Sequence, residues 1–135
     1  MLTTDIVVES PPYFVWAYFI QPDNWRKWSR LTLESAHWET GGHLYFEKNM
    51  TSTIDAITPG TSVSFGDSWS QETWEFEPTP NGHTLVRVSE EPRAVKYTDH
   101  GKAALAKTHA ALERFKAAIE AATEDLRSSP ASESV

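Results

Sequence analysis

The sequence predicts an α+β fold: an antiparallel β-sheet of about six to seven strands and one long C-terminal α-helix, with two short helices after the first strand. Three observations carry this prediction. Residues 10 to 28, SPPYFVWAYFIQPDNWRKW, hold seven aromatic residues and three prolines in nineteen positions, a composition that suits short, interrupted, buried helices. From Leu31 to about Glu91 apolar residues recur with period two between turn signals, as antiparallel strands require. After Pro92 the chain turns to alanine, with apolar residues spaced for one face of a long helix.

The elements follow in order. Thr3 to Glu9 (TTDIVVE) is rich in β-branched residues and ends at Ser-Pro-Pro, so it reads as the first strand. Ser10 is placed to cap a helix, with Pro11 at its first position, where a missing N–H leaves nothing unpaired. Pro22 disfavours helical backbone at Gln21, so this helix ends and a second begins with Asp23 and Asn24 in its first turn. Phe14, Val15, Trp16, Tyr18, Phe19 and Ile20 surround the first helix too fully for a surface element, so it is wedged against the sheet.

Gly41-Gly42 suits a two-residue hairpin turn pairing Thr40 with His43. That register puts Leu31, Leu33, His37, Leu44 and Phe46 on the concave face and Trp38 with Tyr45 on the outer one. Thr51 to Thr58 and Thr61 to Gly66 are two further strands, divided by Pro59-Gly60. At Thr-Pro-Asn-Gly, a two-residue Asn-Gly loop mixes apolar and charged groups on one face. A three-residue loop, Pro80-Asn81-Gly82 with Gly82 left-handed, instead gathers Trp74, Phe76, Thr84, Val86 and Val88 and sets Glu75 opposite Arg87, so it is preferred. The last helix runs from about Asp99 to Thr123. Leu105, Leu112, Ile119 and Leu126, with Thr108, Phe115 and Ala122 beside them, form its buried stripe, flanked by Ala104, Ala111 and Ala118. Residues 1–124 therefore read as a single domain, and 125–135 as a disordered tail with nothing to bury.

Composition narrows the function classes. Nineteen acidic against twelve basic side chains give a net charge of −7, which opposes nucleic acids and anionic membrane surfaces. The absence of cysteine excludes disulfides, thiolate catalysis and cysteine-ligated zinc, and suits a reducing compartment. The N-terminus has no basic stretch of a signal peptide, and the apolar run from Tyr13 to Ile20 is far short of the roughly twenty residues that span a bilayer. A cytoplasmic protein without membrane insertion or nucleic-acid partner is expected. The sixteen Phe, Trp and Tyr residues bury about 150 to 250 Å² each when enclosed, enough for an aromatic core that also lines a hollow.

The helix opening SPPYFVW, the Pro-x-x-Trp-x-x-Trp of PDNWRKW, the strand pair TSTIDAITPGTSVSF and the closing ALERFKAAIEA resemble the START-like SRPBCC superfamily over about residues 3 to 122. Within it the chain is most similar to polyketide cyclase/dehydratase-like proteins and to the heat-shock-ATPase activator homology group. The resemblance implies a helix-grip fold, in which a sheet curls around a long helix and encloses an apolar cavity. A cavity lined by Trp74, Phe76, Val86, Val88, Leu105 and Leu112 is expected to hold a small hydrophobic or aromatic molecule, lipid- or polyketide-like.

The sequence carries no His-Glu-x-x-His, nucleophile-elbow or phosphate-loop motif, its five histidines lack metal-ligand spacing, and no metal or other cofactor is expected. The expected ligand-binding residues are Leu33, Phe46, Trp74, Phe76, Val86, Val88, Leu105, Thr108, His109 and Leu112. If the same cavity performs a cyclase or dehydratase reaction, His109 at the margin of the helix stripe is the first candidate acid/base and His37 the second, because imidazole exchanges protons near neutral pH. Glu72 and Tyr97 are further polar candidates. A third reading is a protein-interaction, co-chaperone-like domain using an exposed patch around Trp38 and Tyr45. Most aromatics of the stretch are expected to pack in the core, with a lone Trp or Phe reaching the cavity as the alternative.

Overall fold

The computed structural model describes residues 2–93 and 101–128, with the side chains of the last helix described over 106–126. The elements are β1 (Leu2–Val8), α1 (Pro12–Phe19), α2 (Pro22–Trp25), β2 (Leu33–Ala36), β3 (His43–Phe46), β4 (Thr51–Thr58), β5 (Ser62–Gly66), β6 (Ser70–Pro78), β7 (Thr84–Pro92) and α3 (Gly101–Ser128). All seven strands form one antiparallel sheet in the order β1-β7-β6-β5-β4-β3-β2. This is the helix-grip architecture: a curved sheet, two short helices after the first strand, and a long C-terminal helix.

The turn chemistry behaves as its residues dictate. Thr79 and His83 close a three-residue loop by a Thr79 N–H to His83 O bond of 2.9 Å, with Gly82 at φ +81° and Glu75 opposite Arg87. Gly60, at φ +81°, turns β4 into β5. Gln21 is extended (φ −85°, ψ 113°), which separates α1 from α2 as Pro22 requires.

Four expectations need correction. Ser10 does not cap α1: Pro11 occupies the N-cap, while the buried Ser10 hydroxyl pairs with Thr123 Oγ1 at 3.0 Å and ties the chain to α3. The β2–β3 connection is not a two-residue turn. A bulge between Leu33 and Ser35 shifts the register so that Ala36 faces Leu44, and the chain then loops through Gly41, at φ +84°, and Gly42. This loop bonds to β4 through Gly41 N–H to Ile54 O and Ile54 N–H to Gly42 O, both 2.8 Å. The extra residue reverses parity beyond the bulge, so His37 is exposed while Trp38 turns inward and donates its indole N–H to Ile20 O at 2.8 Å. The outer patch is thereby reduced to Tyr45. Finally, α3 extends past Thr123 to Ser128, and Leu126 is 59% exposed rather than part of the buried stripe, which comprises Leu112, Phe115 and Ile119. Leu105, Ala104 and Tyr97 lie outside the described side chains.

α3 runs in the same direction as β1. The pairs that tie them advance together: Thr4 with His109, Val7 O with Lys116 Nζ, Glu9 N–H with Glu120, Ser10 with Thr123. From Thr4 to Val7 and from His109 to Lys116, three strand residues and seven helix residues each span about 10 Å, so one ladder of contacts serves both elements. Leu126 lies beyond the last of these pairs and is exposed. α3 leans on the β1 end of the sheet and reaches β6 through Phe115, whose ring centroid is 5.4 Å from that of Trp74, while α1 and α2 cover the strands beyond. Phe19, fully buried, is the hub of that cover, with ring centroids 4.8 Å from Trp74, 5.3 Å from Trp25 and Phe76, and 6.1 Å from Phe115.

Candidate functional site

Where the cover of α1 and α2 ends and α3 begins, the concave face is not filled. A cavity of about 310 Å³ lies there, open on one side. Its floor is aromatic: Trp25 and Trp28 from the second-helix region, Phe46 from β3, Phe65 from β5 and Trp74 from β6, all buried. α3 contributes Thr108, Ala111 and Arg114. Met50, Thr51, Asp67, Ser70 and Lys107 also line it and are exposed, which marks them as the rim.

The small residue at 111 leaves volume under the helix that a larger side chain would occupy. Arg114 is committed to structure, its Nε donating to Trp28 O at 2.9 Å and so holding the turn after α2 against α3. Trp25 is anchored likewise by its indole N–H to Phe19 O at 2.6 Å. The aromatic walls are thus fixed by polar contacts made behind them.

One ionisable side chain stands on the sheet within this apolar wall. Glu72 shares its strand face with Trp74 and Phe76, sits between Phe65 of β5 and Glu90 of β7 in the sheet register, and lines the cavity. Its Oε1 accepts the Trp74 indole N–H at 2.7 Å. Burial pushes the Glu72 carboxyl up to about 7; the Trp74 hydrogen bond opposes that and the neighbouring Glu90 charge adds to it. Glu90 itself accepts a hydrogen bond from the Thr108 hydroxyl, which joins β7 to α3 beside the cavity.

The predicted site residues divide. Phe46, Trp74 and Thr108 line the cavity. Leu33, Phe76, Val86, Val88 and Leu112 lie on the concave side but are fully enclosed in the core, away from the hollow. His109 points to β1, where Nδ1 lies 2.7 Å from Thr4 Oγ1 and Nε2 3.2 Å from Glu113, so it is not on the cavity wall. His37 is exposed beyond the β2 bulge. Neither histidine is within the cavity, which corrects the placement the sequence suggested. Trp25, Trp28, Phe65 and Arg114 were not anticipated as wall residues. A signal for Glu72 did exist: its parity with Trp74 and Phe76 puts a carboxyl on an otherwise apolar strand face.

Among the described residues no three His, Asp or Glu side chains are grouped to hold a metal ion, and no helix is long and apolar enough to cross a membrane.

Comparisons with known proteins agree with this architecture. The chain is similar in structure to the protein SSP2350 from Staphylococcus saprophyticus, with a TM-score of 0.72 and 18% identity over 87% of this chain and 90% of that one. It is similar also to NE0264 from Nitrosomonas europaea (TM-score 0.71, 11% identity, 91% and 96% of the two chains). A third likeness is to CalU16 from Micromonospora echinospora (TM-score 0.68, 15% identity, 87% and 74%). At these identities the likeness is one of fold. No curated protein matches the sequence. The family model described as activator of Hsp90 ATPase homolog 1-like protein matches residues 9–122, from the turn after β1 to the end of the buried stripe of α3. The chain therefore belongs to that family, AHSA1, within the SRPBCC superfamily of helix-grip domains.

Proposed function

We propose that the protein binds a small apolar or aromatic molecule in the cavity between sheet and α3. The observation that carries this reading is the about 310 Å³ hollow floored by five buried aromatic side chains, since a core that merely needed to be filled would close on itself. Its volume is at the low end of the roughly 300 to 1,000 Å³ range of small-molecule sites, so a compact ring system of polyketide type suits it better than a long acyl chain. Such a ligand exchanges water for aromatic surface on most sides and meets polar groups at Glu72, at Thr108 and Arg114 of α3, and at the rim. A cyclase or dehydratase reaction resting on His109 or His37 has no geometric support, because neither ring is on the wall.

The test is an NMR titration with bicyclic and tricyclic aromatics on the parent and on Ala111→Phe. Saturable shifts at the Trp25, Trp28 and Trp74 indole signals are expected for the parent. In Ala111→Phe the new ring occupies the hollow, so affinity falls at least tenfold while the denaturant midpoint changes little. Loss of about 1 to 3 kcal/mol of stability would instead mean that Ala111 marks close packing, and would count against an open cavity.

A further inference from the structure

We propose that Glu72 selects the cavity's ligand, donating a hydrogen bond from its Oε2 to a carbonyl-type oxygen on a compact aromatic molecule. This rests on the cavity being a binding site, and it adds the chemical group that the site reads. Glu72 is surrounded by protein yet keeps accessible surface, and the space it borders is the cavity. Oε1 is occupied by the Trp74 indole N–H, whereas Oε2 has no hydrogen-bond partner among the described residues. Of the other polar groups of the wall, several are already engaged, while the terminal nitrogens of Arg114 and the Ser52 hydroxyl also border the space. Arg114 Nε holds Trp28 O, the Thr108 hydroxyl holds Glu90, and Trp28 Nε1 has no accessible surface to offer. The rim groups are exposed, where water competes for them.

The charge environment decides which way this hydrogen bond runs. Glu90 on β7 stands beside Glu72 in the sheet, and facing the same space are Asp67 after β5, Lys107 and Arg114 on α3, and Arg30 after α2. The basic groups on Arg30 and Lys107 are exposed and so are largely screened, and Arg114 is held on Trp28 O, while enclosure and Glu90 favour the neutral acid, with the carboxyl pushed up to about 7. Because Oε1 accepts from Trp74, the proton of the neutral acid is carried by Oε2, which becomes a donor aimed at the ligand. Above that pH the same oxygen is an anion that repels a carbonyl.

Fluorenone and fluorene share one tricyclic frame and differ by a carbonyl in place of a methylene, so their affinity ratio reads this single contact. By NMR titration the parent is expected to prefer fluorenone about tenfold at about pH 6 and to lose that preference by about pH 8.5. Glu72→Gln supplies an amide N–H donor that does not titrate, so it keeps the preference at both pH values; Glu72→Leu loses it at both. Equal binding of the two probes by the parent at about pH 6, or an unchanged preference in Glu72→Leu, overturns the role of Glu72 and leaves the binding site standing. Should Glu72→Leu fold poorly, a pH-dependent preference in Glu72→Gln matching the parent's overturns it equally. Absence of saturable shifts with either probe overturns the cavity reading and this inference with it.

Discussion

Glu72 is the residue at which local and tertiary chemistry disagree most. A carboxyl on the apolar face of a strand opposes burial, and its position next to Glu90 in the sheet makes ionisation harder still. Its folded pKa is raised from 4.5 to about 7, so between those values the folded protein keeps a proton that the unfolded chain has lost. The stability it contributes is therefore complete below about pH 4.5 and is lost as pH rises through about 7. Glu72→Gln keeps the size and the acceptor for the Trp74 indole but removes the ionisation. It should be nearly neutral at about pH 4 and stabilising by on the order of 2 to 3 kcal/mol at about pH 8. Urea midpoints at the two pH values measure this; an equal displacement at both would show that the carboxyl titrates normally. The histidines illustrate the reverse case, where suitable chemistry lacks the right surroundings: His109 is bonded to Thr4 beside β1 and His37 is exposed.

Among the elements, the β2–β3 connection shapes the site more than any strand. Its bulge turns Trp38 inward, where the ring lies 5.7 Å from Phe19 and 6.4 Å from Trp25, so this loop supports the aromatic wall from behind. Gly42 makes the path possible: a Cβ there would lie 2.2 Å from His37 O and 3.0 Å from Glu39 O, both backbone atoms that cannot move aside cheaply. Gly42→Ala should cost about 2 kcal/mol or more, read as a lower denaturant midpoint, and should broaden the Trp38 indole signal as its bond to Ile20 O loosens. A midpoint within about 0.5 kcal/mol of the parent would mean that the loop has room to relax. The β6–β7 hairpin offers no such difficulty, because its three-residue turn and its apolar face agree on one register.

For the whole molecule, core and cavity are two parts of one aromatic cluster. Trp25, Trp28 and Trp74 present one side to the hollow and the other to Phe19, whose centroid is 5.3, 6.1 and 4.8 Å from theirs. The dense aromatic stretch thus both closes the curled sheet and furnishes the wall. Phe19→Ala removes the ring common to these contacts and should destabilise by about 3 to 5 kcal/mol, with near-UV circular dichroism reduced as the tryptophans lose their fixed surroundings. Ligand affinity should fall with it, since the wall is held in place from the core side. A loss of less than about 1 kcal/mol would show that the neighbouring rings collapse into the space, and that wall and core are independent.

Short-range features were legible in the sequence because their causes lie within a few residues. Pro22 divides the two helices, Gly60 and Gly82 supply the left-handed backbone their turns need, and strand parity places Trp74, Phe76, Val86 and Val88 on the concave side. The quoted helix and strand segments also pointed to the superfamily, since they encode the packing that recurs in it. Tertiary structure alone decided the rest. Whether a concave residue is sealed in the core or borders a hollow depends on where α1, α2 and α3 cover the sheet, and that is why Phe76 and Val88 are enclosed while Phe46 and Trp74 face the cavity. The facing of His109 was likewise fixed by the contact of α3 with β1, and that of His37 by a bulge that exists only through pairing with β3. Period and propensity describe one element at a time, whereas a cavity is the space that several elements leave between them.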